Sequence, residues 1–214
     1  MKIGNSFLTV YWILFAYCAL GTLLSADQVK RHSASSLFLF CGVLGIVLIV
    51  GLRFEVGGDW NAYKHMFSHM AYVGIGKALS VGDFGYQLLN WVARNLGAGL
   101  WVVNLTCASI FGWGLWRFAK IQQAPWLTLL VAVPYLVIVV AMGYTRQAVA
   151  IGFILAGLAA LQRGVSPIHF AGYVIGAARQ SARAEYRLEG RVDRRAGHPV
   201  EDREDDPIEN VHIA

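Results

Sequence analysis

Long uncharged runs, broken by short polar stretches, organise the first 178 residues. Ile3–Ala26, Ser33–Leu52, Asn95–Trp116 and Ile121–Thr145 contain no charged residue, and Gln147–Gln162 extends back to Gly143 with Arg146 at an interface. A helix rises about 1.5 Å per residue, so about 20 apolar residues cross a hydrocarbon core. The pattern predicts five membrane-crossing helices, at 6–25, 34–53, 97–116, 124–142 and 144–162. A sixth apolar stretch, 166–178, is short for a crossing and reads as a stub or re-entrant piece. The first run is too long for the core of a signal peptide and ends without a clear small-residue cleavage site, so it reads as a membrane anchor. The expected fold is all-α, a polytopic transmembrane helix bundle.

Composition sharpens this picture and divides the chain. Of the 214 residues, 57% are hydrophobic and 14% charged, against about 25% charged in an average soluble protein. Residues 179–214 carry seven of the 18 basic and nine of the 13 acidic residues, with no Lys, Phe or Trp. Such a segment buries too little apolar area to offset its ordering entropy and is expected to be a disordered, charged tail. Residues 1–178 form the membrane region, with a loop at 54–96. The net charge of +5 does not point to nucleic acid, because apolar runs separate the basic residues and no basic stripe forms. Cys18, Cys41 and Cys107 lie inside apolar runs, without zinc-site or disulfide spacing, and read as small packing residues. The chain has no P-loop, dinucleotide fingerprint or nucleophile elbow, and neither a cofactor nor a metal is expected.

Charge at the loops sets orientation. Lys30 and Arg31 follow the first run, Arg117 and Lys120 the third, and Arg163 the fifth. These are alternate loops, which assigns them to the cytoplasmic side. The N-terminus, the 54–96 loop and the turn at 143–146 are then expected outside.

The outer loop begins Arg53-Phe54-Glu55-Val56-Gly57-Gly58-Asp59. Asp59 has an ordinary reading as the N-cap of a following helix, and Arg53 as a cation snorkelling to lipid phosphate. In the sharper reading the two face each other across the glycines and line a polar site, with Tyr63 one turn beyond Asp59 on the same helix face. His65 and His69 are spaced i, i+4, but no third ligand accompanies them and a solvated pair is the plainer account. The stretch 86–96 is amphipathic: Asp83, Gln87, Asn90 and Arg94 make a polar face, and Leu88, Leu89, Trp91, Val92 and Leu96 an apolar one. It reads either as a plain surface helix or as an interfacial helix whose polar face roofs the outer site. Arg146 stands in the first turn of the last long helix, where the dipole is already positive. Either a lipid headgroup compensates it or the pyrophosphate of a lipid-linked substrate does, since helix N-termini and arginine forks both bind phosphate.

At Gly51-Leu52-Arg53 through Gly58-Asp59 to Tyr63, then Phe84-Gly85-Tyr86, then Thr145-Arg146-Gln147 opening an apolar helix, the sequence resembles the EpsG family over about residues 5–178. These are membrane proteins of bacterial exopolysaccharide synthesis, related in role to Wzy-type O-antigen polymerases. The resemblance implies a glycosyltransferase-type polymerase joining undecaprenyl-diphosphate-linked sugar repeats at the outer face of the inner membrane. Implied partners are that lipid-linked oligosaccharide, membrane lipids and other polysaccharide-assembly proteins. On this reading Arg53 and Arg146 stabilise the leaving diphosphate and Asp59 serves the attacking hydroxyl. Tyr63 and Tyr86 stack on sugar rings, with Arg94 and Gln147 completing the substrate-binding set.

The chain also departs from that family. Relatives continue with further spans, whereas here composition breaks at Arg179-Gln180-Ser181-Ala182-Arg183. The simpler account of 179–214 is an out-of-frame product ending a truncated polymerase, the other a natural tail. Two alternatives to an active enzyme remain, an inactive truncated fragment and a non-catalytic subunit of the same machinery. A transporter is a third, disfavoured because transport calls for charges buried mid-span and runs one, three and four have none.

Overall fold

The computed structural model describes residues 3–26, 32–57, 59–70, 74, 76, 84–166 and 168–178. The charged tail and Asp83 lie outside the described residues.

The uncharged runs are wound as helices because a helix satisfies its own backbone N–H and C=O groups within an apolar segment. In order these are α1 (Ile3–Ala26), α2 (His32–Gly51), α3 (Trp60–His69), α4 (Phe84–Asn95) and α5 (Leu100–Ala119). Then follow α6 (Pro125–Ala141), α7 (Thr145–Gln162) and α8 (Ile168–Ala178). The described residues are all-α. Pro125 opens α6 at its first helical position, where its missing N–H costs nothing.

The second half of α6 departs from the regular helix that the sequence predicts. Val133–Ala141 is π-wound. Pro134 lacks an N–H and its ring crowds the carbonyl four residues back, so the regular bonding cannot continue through it, and the wider π register accommodates the break.

α5 is the central helix, flanked by α2, α4 and α7, while α1 covers α6 and α3 lies on α4. The tightest approach is between α5 and α7. A Cβ placed on Gly114 would stand 2.0 Å from the carbonyl oxygen of Gly152, and one on Gly152 would stand 2.8 Å from the Cα of Phe111. The two backbones touch there because neither residue has a side chain. Gln122 beyond α5 bonds Gln162 at the end of α7 at 3.4 Å, so α5 and α7 run in the same direction with α6 returning between them. One end of the bundle gathers Arg117 against Trp113 and Lys120 against Trp116. The other end carries α3, α4 and the turn between α6 and α7.

Two cores result. The larger joins α1, α2, α5, α6 and α7 around Ile46, Phe111, Leu129 and Val133. The smaller seats α3 and α4 on α5 and α7 through Tyr63, Phe67, Tyr86, Val103, Cys107 and Val149. Large apolar side chains also cover the outside: Trp12, Ile13, Leu23, Leu37, Phe38 and Val131 are all exposed. Helices that are apolar inside and out are what a lipid environment requires.

By length and apolarity, Thr145–Gln162 is the one described helix suited to cross a membrane. Thr9–Ser25, Ser36–Gly51, Pro125–Ala141 and Ile168–Ala178 are shorter apolar helices. Leu100–Ala119 carries Asn104, Arg117 and three tryptophans, which lower its apolarity. The five full crossings expected from sequence are therefore a proposal, taken up below.

The α5–α7 contact yields a direct expectation. Gly114→Val overpacks the crossing and should destabilise the fold by about 1–3 kcal/mol. Gly143→Ala, where a Cβ meets nothing within 4 Å, should leave it unchanged. Thermal unfolding of the detergent-solubilised protein compares the two.

Candidate functional site

The site forms where the chain leaving α2 meets the turn between α6 and α7. Helix ends leave carbonyls without intrahelical partners, and α6 ends in the carbonyls of Ala141 and Met142. Arg53, two residues beyond α2, is buried at 5% exposure. Its Nη1 donates to the carbonyl of Ala141 at 2.6 Å and to that of Met142, and its Nη2 donates to the Thr145 hydroxyl. Gly57, at φ 112°, lies so close that a Cβ there would stand 2.4 Å from the Met142 carbonyl oxygen. Only glycine combines that backbone conformation with that approach. The Arg53–Gly57 loop is thus pinned to the α6–α7 turn at two points.

This placement corrects the snorkelling account of Arg53. The side chain reaches inward, and the fork is used by the protein itself. The electrostatic reason lies in the helix termini. The C-terminal end of α6 carries partial negative charge and the N-terminal end of α7 partial positive charge. Placed side by side the two would offset each other. The Arg53 cation sits on the negative end, which leaves the α7 end as net positive.

Arg146 occupies the first turn of that positive end. It is half-buried, and its guanidinium carbon lies 5.9 Å from the centre of the Tyr63 ring. Tyr63, at 2% exposure, pairs with Tyr86 at a centroid distance of 5.4 Å and an interplanar angle of 54°. Burial pushes the Tyr63 phenol above its ordinary value, against the opposing pull of the Arg146 charge and hydrogen bonding with Arg146. Burial raises Tyr86 further, with Cys107 and Tyr63 adding to the shift. Both phenols are therefore neutral at physiological pH and serve as hydrogen-bond partners or ring surfaces, not as bases.

Asp59 stands at the N-cap of α3, but its carboxylate makes no capping hydrogen bond there. The backbone at φ −98°, ψ 10° departs from the extended conformation that aims a cap side chain at the first-turn amides. The N-cap reading holds for position and fails for chemistry. Its charge acts on Tyr63 instead, raising that phenol. Arg94 is exposed, with its guanidinium carbon 5.6 Å from the Phe67 ring centre. Gln147, His65 and His69 are exposed. No group of three or more metal-binding side chains occurs among the described residues.

The structure thus brings Arg53, Tyr63, Tyr86, Asp59 and Arg146 into one region and leaves Arg94 and Gln147 on its surface. It also shows where the polar face of α4 points and adds one residue, Asn104, that sequence reading passed over. Gln87 and Asn90 lie on the buried face of α4, at 5% and 0% exposure, while Val92 and Leu96 face outward. Asn104 of α5 is 2% exposed. A carboxamide does not interrupt an uncharged run, so counting charges missed it; a lone Asn inside a predicted span was the available signal.

The staple makes a stability prediction. Arg53→Met leaves two carbonyls and a hydroxyl without their donor and should destabilise the fold by about 3 kcal/mol. Arg53→Lys keeps the charge, lacks the fork, and should recover less than half of that loss. Unfolding temperature, together with protease cleavage near residues 142–144, reads both.

No curated protein and no solved structure matches the chain. The sequence profile of the EpsG family matches residues 36–178, from α2 to the end of α8 and more than half of the chain. Membership suggests, at a coarse level, an exopolysaccharide-related membrane protein that processes lipid-linked polysaccharide. The chain belongs to the EpsG family.

Proposed function

We propose that this protein is a polytopic membrane polymerase that joins lipid-diphosphate-linked sugar repeats, with Arg146 holding the diphosphate. The observation that carries the proposal is the positive end of α7: Arg146 in its first turn, and the opposing end of α6 neutralised by Arg53. A helix dipole and a guanidinium in its first turn together favour an anion. Arg53 acts as a positioning residue, fixing the turn from which Arg146 projects while adding its charge to the local field.

In the proposed reaction the oxygen of an acceptor sugar hydroxyl bonds to the anomeric carbon of a second repeat. The bond from that carbon to the diphosphate oxygen breaks, and the diphosphate leaves with the electron pair. The developing negative charge is stabilised by Arg146. The hydroxyl proton passes to the Asp59 carboxylate, which lies near enough to act on Tyr63. Tyr63 and Tyr86, packed on each other, form the inner wall of the site, and Arg94 and Gln147 lie at the approach to it.

The membrane setting follows the same logic. The end bearing Arg117 and Lys120 is assigned to the cytoplasm by the distribution of basic loops, and the Arg53–Arg146 end to the outer face of a bacterial inner membrane, with the N-terminus outside. The apolar exterior of α1 and α2 supports burial in lipid.

A non-catalytic subunit that only binds the lipid diphosphate is the second reading. It is favoured by the Tyr63–Tyr86 pair, whose rings face each other instead of solvent. Turnover of lipid-linked repeats by the purified protein separates the two.

In cells whose own copy is deleted, Arg146→Ala should abolish high-molecular-weight polymer and accumulate unpolymerised lipid-linked repeats, at unchanged protein level. Arg146→Lys should retain a small fraction of the product. Wild-type polymer length and yield from Arg146→Ala would remove the diphosphate role.

A further inference from the structure

The face of α4 that meets α5 is polar where a packed helix face is ordinarily apolar. Tyr86, Gln87, Asn90 and Asn104 are each at least nine-tenths buried. Among the described residues Gln87 Oε1, Asn90 Oδ1 and both Oδ1 and Nδ2 of Asn104 have no hydrogen-bond partner. The Asn90 amide nitrogen is satisfied locally, donating to the Tyr86 carbonyl at 3.0 Å.

These groups belong to one place. Tyr86 and Ala93 of α4 share a core with Val103 and Cys107 of α5, and Gln87 and Asn90 lie on the same buried side of α4. Asn104 stands between Val103 in that core and Leu105, whose Cα lies 2.8 Å from a Cβ built on Gly51, two residues before Arg53. The Arg53 Nε is also buried without a partner among the described residues, and the Arg53 charge interacts with Tyr86 and Cys107 of the same core. A buried polar atom left unpaired is costly, and several together in one seam are a site awaiting a ligand or internal water.

We propose that this α4–α5 seam binds the hydroxyl groups of a neutral sugar, the saccharide part of the lipid-linked substrate. The inference rests on the diphosphate reading of Arg146 and extends it. Its chemistry is that of carboxamide oxygens, a carboxamide N–H and a phenol, with no carboxylate among its described residues. Carboxamide oxygens repel phosphate oxygens and accept from hydroxyls, so the seam suits the uncharged part of the ligand while Arg146 takes the charged part. The Tyr63–Tyr86 rings lie between the two. Because all four side chains are buried, the sugar enters as α4 parts from α5. The polar groups on the contact face make that parting cheaper than for an apolar face.

Binding to the full-length protein in lipid nanodiscs tests this with two probes. One is the lipid-linked repeat extracted from the native membranes; the other is undecaprenyl diphosphate without sugar. Asn104→Leu should weaken the sugar-bearing probe about tenfold or more and leave the sugar-free probe unchanged. The same variant should unfold at or above the wild-type temperature, since it replaces unpaired polar atoms by an apolar group of similar size. Gln87→Leu should repeat both results. Equal effects on the two probes, or no effect on either, would mean that the seam holds water only and overturn the proposal. A lowered unfolding temperature in both variants would do the same, by making the carboxamides structural. Arg146→Ala should weaken both probes; if it weakens neither, the diphosphate reading fails, and the proposal resting on it falls as well, a result distinct from an Asn104 failure.

Discussion

One guanidinium holds the α3–α4 end of this molecule together. Arg53 follows α2, yet its donors are used 88 to 92 residues further along, on the last carbonyls of α6 and the Thr145 hydroxyl. A buried cation is ordinarily costly. It is tolerated here because it sits on the negative end of a helix and meets acceptors that the π-wound end of α6 leaves open. The same contacts fix where α7 begins. The geometry of Arg146 therefore depends on a residue that is itself buried.

The arrangement also settles a balance of dipoles. Two antiparallel helices joined by a short turn present opposite partial charges at the same level, and an anion would feel little net field. Neutralising one end from inside leaves the other unopposed. Arg146 then adds a full charge to a terminus where a cation is disfavoured on its own. On the proposed reading a diphosphate answers the helix end and Arg146 together, and that arrangement requires both arginines.

The helices were legible in the sequence because a long apolar segment must satisfy its backbone polar groups internally; α2, α5 and α7 lie close to their expected positions. The winding of α6 was not legible, although Pro134 marks where regular bonding must fail. Nor was the direction of Arg53. A cation at a helix mouth reads as a snorkelling group, and only the tertiary approach of Gly57 and Met142 reveals the inward path. Asp59 shows the reverse case, with a correct position and an incorrect role, because capping depends on backbone angles that sequence does not specify. The buried side of α4 illustrates a third kind of difficulty. Its amphipathic period was evident and left two readings, a plain surface helix or a polar face turned to the site; only packing shows that Gln87 and Asn90 turn inward.

That inward turn bears on how recognition is divided. A diphosphate is common to every substrate carried on the same lipid, so a site that reads charge alone grips all of them alike. Discrimination among saccharides needs groups that sense hydroxyl positions without adding charge, and buried carboxamides do this because an unmatched one carries a desolvation penalty. Asn104 and Gln87 are buried on α5 and α4, while Arg146 lies beyond the Tyr63 ring. Strength of binding would then come from the end of α7 and selectivity from the face of α4, with two neutral phenols separating them. Changing one set need not change the other, provided that Arg53 keeps the turn between α6 and α7 in place.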